Sequence, residues 1–73
     1  MNKNSLGTTV RAKREELQMT QPELAERVGT SQSHVSRIET NQCVPSAVLL
    51  IKLAGALRMP AAALLEAAEG KAV

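Results

Sequence analysis

The sequence predicts an all-α fold, a compact five-helix bundle, and three observations lead to this prediction. Apolar residues recur at helical spacing in several separate segments, and no segment shows the strict alternation that marks a half-buried strand. Capping residues and prolines divide the chain into five such segments. Because the chain has no Phe, Tyr or Trp, its core must consist of Leu, Ile, Val, Met and Ala, which suits close packing of helices.

The first predicted helix begins after Ser5, a possible N-cap, and runs from Leu6 to about Leu17. Val10 lies at helical spacing from Leu6 and Leu17, although the segment is rich in charge. Neither Gly nor Pro follows it, so we expect Gln18 to end the helix in the left-handed conformation.

The second helix has a strong start at Thr20. The hydroxyl of Thr20 can accept the N–H of Glu23, and the Glu23 carboxylate can reach back to Thr20, which makes a capping box. Pro22 falls in the first turn of the helix, where a backbone N–H has no acceptor within the helix. The missing N–H of proline therefore breaks no hydrogen bond there. The helix should run to about Val28, bury one apolar face, and end at Gly29.

The third helix should begin after Ser31, run from Gln32 to about Thr40, and bury Val35 and Ile38. Its opposite face has no large apolar residue. That face consists of hydrogen-bonding side chains, which are Ser33, Ser36, Arg37 and Thr40.

The fourth helix, about Ser46 to Leu57, has the clearest apolar stripe. The predicted stripe consists of Ala47, Leu50, Leu53, Ala54 and Leu57, with Ile51 at its edge. Pro60 then opens a short fifth helix, about Ala61 to Ala68, in which Leu64 and Leu65 should face inward. We expect residues 1–4 to be a disordered arm, residues 5–69 to form the domain, and residues 70–73 to be a tail.

The composition disfavours several functional classes. One cysteine cannot form an internal disulfide, and no Cys/His set for zinc is present, so we expect no metal and no cofactor. No apolar run reaches the roughly 18 residues that span a membrane, and the N-terminus lacks a signal-peptide pattern, so we expect a cytoplasmic protein with no membrane partner. Without aromatic residues, an RNA-recognition or single-strand-binding module is disfavoured.

His34, the only histidine, has no plausible nucleophile partner, and no phosphate loop is present, so we expect no enzyme activity.

The second and third predicted helices, within residues 20–40, must cross closely because only three residues join them. This geometry needs a small residue on the second helix, an unusual backbone angle at the turn, and aliphatic anchors on the third helix. Ala25, Gly29, Val35 and Ile38 meet these needs at positions 5, 9, 15 and 18 of the unit, with Gln21 at position 1. One match would be common, but the set with its caps is fairly specific.

These residues resemble the Cro/repressor-type helix-turn-helix family, the lambda-repressor-like five-helix DNA-binding domains of phage and bacterial regulators. The resemblance covers about nine tenths of the chain. Its motifs are Leu6-Gly7, Val10-Arg11, Arg14, Thr20-Gln21, Leu24-Ala25, Val28-Gly29, Val35-Ser36-Arg37-Ile38-Glu39, Pro45-Ser46, and Leu50 to Leu57.

The resemblance implies a role for each matching position. Base contacts would come from the third helix, through Gln32, Ser33, Ser36 and Arg37. Phosphate contacts would come from Gln21, Thr30 and Asn41. Arg14 and Glu39 match a pair that ties the first helix to the third, and Ala25, Gly29, Val35 and Ile38 would shape the unit. The chemistry is suitable, since Gln can bind adenine and Arg can bind guanine through two hydrogen bonds each.

Charge and departures from the family pattern add two expectations. Residues 1–14 contain Lys3, Arg11, Lys13 and Arg14 and no acid, which favours contact with phosphates. Val48 and Leu49 enrich the fourth helix in apolar surface. Together with the fifth helix they suggest a dimer surface, although scattered surface aliphatics are an equally plausible interpretation.

The implied function is a sequence-specific regulator of transcription that binds double-stranded DNA. We expect a repressor that binds a palindromic operator as a homodimer, because one domain alone would bury only roughly 600–1,000 Å² on DNA. Two alternatives stay open. One is an antitoxin with a cognate toxin, or a restriction–modification controller, of the same fold. The other is a helical interaction module that has lost DNA binding.

Overall fold

A computed structural model describes residues 5–68 and contains five α-helices and no strand within that range. The predicted arm, including Lys3, and the predicted tail lie outside the described residues. The helices are α1 (Leu6–Glu16), α2 (Gln21–Val28), α3 (Gln32–Glu39), α4 (Ala47–Ala56) and α5 (Ala61–Ala68). The predicted all-α, five-helix fold is therefore confirmed. None of these helices is long and apolar enough to cross a membrane.

The first four helices begin at a serine or threonine cap. The sequence predicts the caps Ser5, Thr20 and Ser31, whereas it places Ser46 inside the fourth helix, which in the structure begins one residue later, at Ala47. Ser5, Thr20, Ser31 and Ser46 have extended backbone angles, and each side chain accepts the backbone N–H of the residue three positions later. The capping box is complete, because the backbone N–H of Thr20 also donates to Glu23 Oε1 over 2.8 Å. Local hydrogen bonds thus fix where these helices start.

The same four helices also end in one way, with a residue in the left-handed conformation. These residues are Gln18, Gly29, Asn41 and Arg58, with φ between 57° and 75°. After each of them, the next N–H donates to the carbonyl five residues earlier, over 2.8–3.0 Å, as in a Schellman motif. The expected conformation of Gln18 is confirmed. Arg58 was not expected here, because an arginine pays a steric penalty that glycine avoids.

The core is a single cluster of aliphatic side chains. Its centre holds Leu24, Ile38, Leu53, Leu57 and Leu64, each at most 1% exposed. Helix α3 packs on α1 and α2, α4 packs on α2 and α5, and α5 also packs on α1. The outward face of α3 is therefore left open, while its inner face is anchored in the core.

Helices α4 and α5 correct three predictions about core positions. Leu49 is buried and Ala47 is exposed, because α4 is covered on two sides, by α2 and by α5, which shifts its buried face by part of a turn. Leu65 is 49% exposed. Leu64 alone of that pair points into the contact with α1 and α4, and the next residue is turned about 100° away from it.

Gly7 marks a close approach between the start of α1 and the end of α3. A Cβ atom at this position would lie 2.5 Å from the carbonyl oxygens of Ile38 and Glu39 and 2.8 Å from Asn41 Oδ1. Two of these three atoms belong to the backbone, so they cannot simply rotate away. The start of α1 can thus lie against the end of α3 only because residue 7 has no side chain.

We expect Gly7→Ala to destabilise the fold by about 1–3 kcal/mol, because an added methyl group would force α1 and α3 apart. Gly55→Ala is the matched control. Gly55 also lies within a helix, but nothing stands within 4 Å of its added Cβ, so this change should stabilise the fold by roughly 0.5–1 kcal/mol through helix propensity. Urea denaturation of both variants measures the difference, and a stabilised Gly7→Ala protein would contradict the close approach.

Candidate nucleic-acid interface

The outward face of α3 and the start of α2 form one shallow depression of about 350 Å³. We call this depression the reading surface. Five polar side chains line it, which are Gln21, Gln32, Ser33, Ser36 and Arg37. They include all four residues that the resemblance assigns to base contacts, and one of the three that it assigns to phosphates.

Helix α3 presents these side chains because its other face is fixed. Val35 and Ile38 are each 1% exposed and face the core. Their spacing of three residues turns Ser33, Ser36 and Arg37 outward. Arg37 is exposed and pairs with no carboxylate among residues 5–68. Its guanidinium group is therefore available to an external acceptor.

An ion pair between Arg14 and Glu39 holds the end of α3 on α1. Arg14 Nε donates to Glu39 Oε2 over 2.6 Å, and Arg14 Nη2 donates to Glu39 Oε1 over 3.1 Å. The side chain of Glu39 is only 2% exposed and that of Arg14 is 11% exposed. Arg14 Nη1 also donates to the Met19 carbonyl over 2.7 Å, which ties the α1–α2 connection to the same group.

The hydrogen bond that Arg14 donates to Glu39 raises the pKa of Arg14 above its ordinary value, and this effect outweighs the opposing effect of burial. Because the pKa of Arg14 is raised in the folded state, its contribution to the stability of the fold is fully present below the pKa of an unfolded arginine. That contribution is lost only as the pH rises through the raised pKa. Arginine stays charged at any pH at which proteins bind DNA. The positive charge of Arg14 therefore persists throughout that range.

Gln21 connects α2 to this ion pair. Its Nε2 atom donates to Glu39 Oε1 over 3.0 Å, so Glu39 accepts hydrogen bonds from two different helices. Gln21 also borders the reading surface, and its amide nitrogen carries a second hydrogen for an outside acceptor. The position of Gln21 is thus set by the same carboxylate that anchors α3.

Thr30 and Asn41 do not line the reading surface. The Thr30 hydroxyl lies 2.8 Å from His34 Nδ1 on the flank of α3. The Asn41 amide has two partners inside the fold: its Oδ1 accepts the Gly7 N–H over 3.0 Å, and its Nδ2 donates to Ser5 Oγ over 3.2 Å. The structure thus places the Asn41 side chain against the start of α1. Sequence reasoning missed this contact, since 34 residues separate Asn41 from Gly7.

The basic character of the first segment is largely balanced in the fold. Arg11 pairs with Glu15 over 3.2 Å, and Lys13 pairs with Glu16 over 2.9 Å. Arg14 is held by Glu39. Each α1 cation therefore has a carboxylate partner, and the expected phosphate-binding segment is weaker than its composition suggests. The spacing of the two surface pairs, four and three residues, is a signal that the sequence did contain.

Comparison with known proteins agrees with this geometry. The model of the family described as Helix-turn-helix matches residues 10–64. A crystal structure of the P22 c2 repressor protein in complex with a synthetic operator is similar to this chain, with a TM-score of 0.82 and 30% sequence identity. The similarity covers 86% of this chain and 96% of that one. No curated protein sequence matches the chain.

We expect Glu39→Gln to destabilise the fold by about 3 kcal/mol, because it leaves the mostly buried charge of Arg14 without a counter-charge. Glu15→Gln is the matched control, since it removes the exposed partner of Arg11 and should cost under about 1 kcal/mol. Urea denaturation at neutral pH compares the two. Equal losses would show that the Arg14–Glu39 pair contributes no more than a surface pair.

Proposed function

Because the chain belongs to the Cro/repressor-type helix-turn-helix family and is a DNA-binding regulator of transcription, we propose that it is a repressor that binds a palindromic operator as a homodimer. Helix α3 enters the major groove, and the function is binding without catalysis. The reading surface is the observation that supports this proposal most directly. It is a polar face on a helix anchored from behind, and a major groove about 12 Å wide admits a helix.

The five side chains of the reading surface divide their work by chemistry. Gln32 and Arg37 are the main base-contacting residues, because each can form two hydrogen bonds with one base. Ser33 and Ser36 are short and accept more than one base. Gln21 contacts a phosphate at the start of α2 with its second amide hydrogen, while the first braces Glu39.

The two flanking residues differ in their proposed roles. Thr30 lies beside the start of α3 and contacts a phosphate from there, with His34 positioning its hydroxyl. The amide of Asn41 is occupied by Gly7 and Ser5. Asn41 therefore supports DNA binding by holding α1 against α3, and any phosphate contact at this loop comes from its backbone.

The dimer surface that we propose lies on α4 and α5, where large apolar side chains face solvent. Val48 is 63% exposed, Ile51 is 62% exposed and Leu65 is 49% exposed. Leu49, which the sequence analysis counted with Val48 in this surface, is buried in the core instead. So small a surface fits a weak interface, below about 1,200 Å² in total, and the dimer then assembles mainly on the operator.

We expect Arg37→Ala to relax sequence preference at one operator position, with a loss of roughly 1–3 kcal/mol of discrimination. Gln21→Ala should instead weaken binding to all sequences to a similar extent, because a phosphate contact carries no base information. Gel-shift titrations against the selected site and single-base variants of it separate the two effects. Lys52→Ala, an exposed cation on α4, is the control. If neither Arg37 nor Gln21 affected binding, these two roles would be wrong.

Selection of bound sequences from a random DNA library tests the proposal as a whole. We expect an inverted repeat whose half-sites are about 34 Å apart, one helical turn of DNA. Sedimentation of the protein with and without that site should show dimers chiefly in the DNA-bound sample, and Ile51→Lys should reduce them. A single unrepeated site bound by one monomer would refute the homodimer, and the absence of any enriched sequence would refute specific binding.

A further inference from the structure

The cations of the described residues fall into two groups. Those of α1 are all paired with carboxylates. The others form no ion pair with any residue between 5 and 68, and they are Arg27, Arg37, Lys52 and Arg58. Arg37 borders the reading surface. Arg27 and Arg58 both line a different depression, of about 200 Å³, and their proximity there is not explained by DNA binding.

This second depression lies between the α1–α2 connection, α2 and the end of α4. Its apolar side is formed by Leu17, Met19 and Ala56, and its polar side by Gln18, Glu23, Arg27 and Arg58. Leu17, Met19 and Ala56 belong to the core or pack against it, so this side of the depression is firm. We call this depression the two-arginine site.

Glu23 is the one carboxylate in the two-arginine site, and it already has partners. Its Oε1 atom accepts the backbone N–H of Thr20 over 2.8 Å and the Thr20 hydroxyl over 3.2 Å. It forms no ion pair with Arg27 or Arg58. With two guanidinium groups and one carboxylate, the site has a formal charge of +1. The N–H donors of the two guanidinium groups have no carboxylate acceptor among the described residues.

The two-arginine site faces away from the proposed DNA. Helix α2 turns about 100° per residue, which places Glu23 and Arg27 roughly 200° and 240° around the helix from Gln21. Gln21 points to Glu39 and the reading surface. Arg58, which follows the end of α4, is not part of the reading surface either. A phosphate of DNA bound to α3 is therefore not the natural acceptor for these arginines.

Arg58 adds an independent observation. Its φ of 58° is left-handed, a conformation that costs an ordinary residue roughly 1–2 kcal/mol and costs glycine almost nothing. Its side chain is exposed and forms no ion pair with a described residue, so the strain is offset only by the two backbone hydrogen bonds that end α4, which a glycine would also form. Strained residues concentrate at binding sites, where the side chain contributes outside the fold.

We propose that the two-arginine site binds an acidic segment of a partner protein while α3 occupies DNA. A carboxylate of the segment accepts hydrogen bonds from Arg27 and Arg58, since the planar guanidinium group matches a carboxylate with two parallel bonds. An aliphatic side chain next to that carboxylate rests on Leu17 and Met19. The regulator thereby contacts DNA and a protein through opposite sides of α2.

The test uses the full chain, labelled with ¹⁵N, and a capped peptide of six glutamates as the probe. In NMR titrations at low salt we expect the peptide to shift the Nε–H signals of Arg27 and Arg58 and the backbone N–H of Gln18. The double variant Arg27→Gln, Arg58→Gln should bind the peptide at least about tenfold more weakly. A peptide of six glutamines should cause no shifts, because it lacks the charge.

Lys52→Gln is the matched control, since Lys52 is another unpaired cation but lies outside the site. It should leave peptide affinity within about twofold, as expected for a surface charge far from the ligand. Equal shifts at Arg37 and Lys52 would overturn the proposal, because they would indicate attraction to any positive charge. The double variant should bind operator DNA as the parent protein does. If it lost DNA affinity and kept peptide affinity, Arg27 and Arg58 would be phosphate contacts and the proposal would be wrong.

Discussion

The ion pair between Arg14 and Glu39 is the interaction on which the arrangement of the first three helices depends. Glu39 ends α3, Arg14 lies near the end of α1, and Gln21 adds a hydrogen bond from the start of α2. A carboxylate only 2% exposed is tolerated because these donors replace water. Buried pairs of this kind often add little net stability. We infer that the pair acts here mainly by fixing the relative position of the three helices, since Glu39 accepts hydrogen bonds from both α1 and α2.

The end of α3 is held to α1 at a second place, through Gly7 and Asn41. The missing side chain of Gly7 lets α1 touch the last carbonyls of α3, and the amide of Asn41 then binds the Gly7 N–H. Asn41 can do this because it takes the left-handed conformation that ends α3. The left-handed conformation of Asn41, its hydrogen bond to Gly7 and the missing side chain of Gly7 therefore act together. They fix the end of α3 against α1, so the outward side chains of α3 keep a fixed position relative to α1.

The distribution of charge shapes the proposed function. Pairing on α1 removes most of the positive charge that the first segment would offer to phosphates. Arg37 is the only cation on the reading surface, whose other members are uncharged. Nonspecific attraction to DNA should then be modest, since it depends on the number of phosphates that cations neutralise. In the proposed dimer, hydrogen bonds from α3 and from a second protomer would supply the remaining affinity, which favours a regulator that selects its site.

The sequence by itself determined the five helices, the caps of the first three, the helix-turn-helix unit and the side chains that form the reading surface. These features depend on residues a few positions apart, such as Thr20 with Glu23 or Val35 with Ile38, so local patterns contain the information. Only the tertiary structure decided that Asn41 binds the start of α1 and that Gly7 lies against α3. It also decided that Leu49 enters the core while Leu65 faces solvent. Each of these outcomes depends on a helix far away in the chain, and no local pattern records which neighbour will cover a given face.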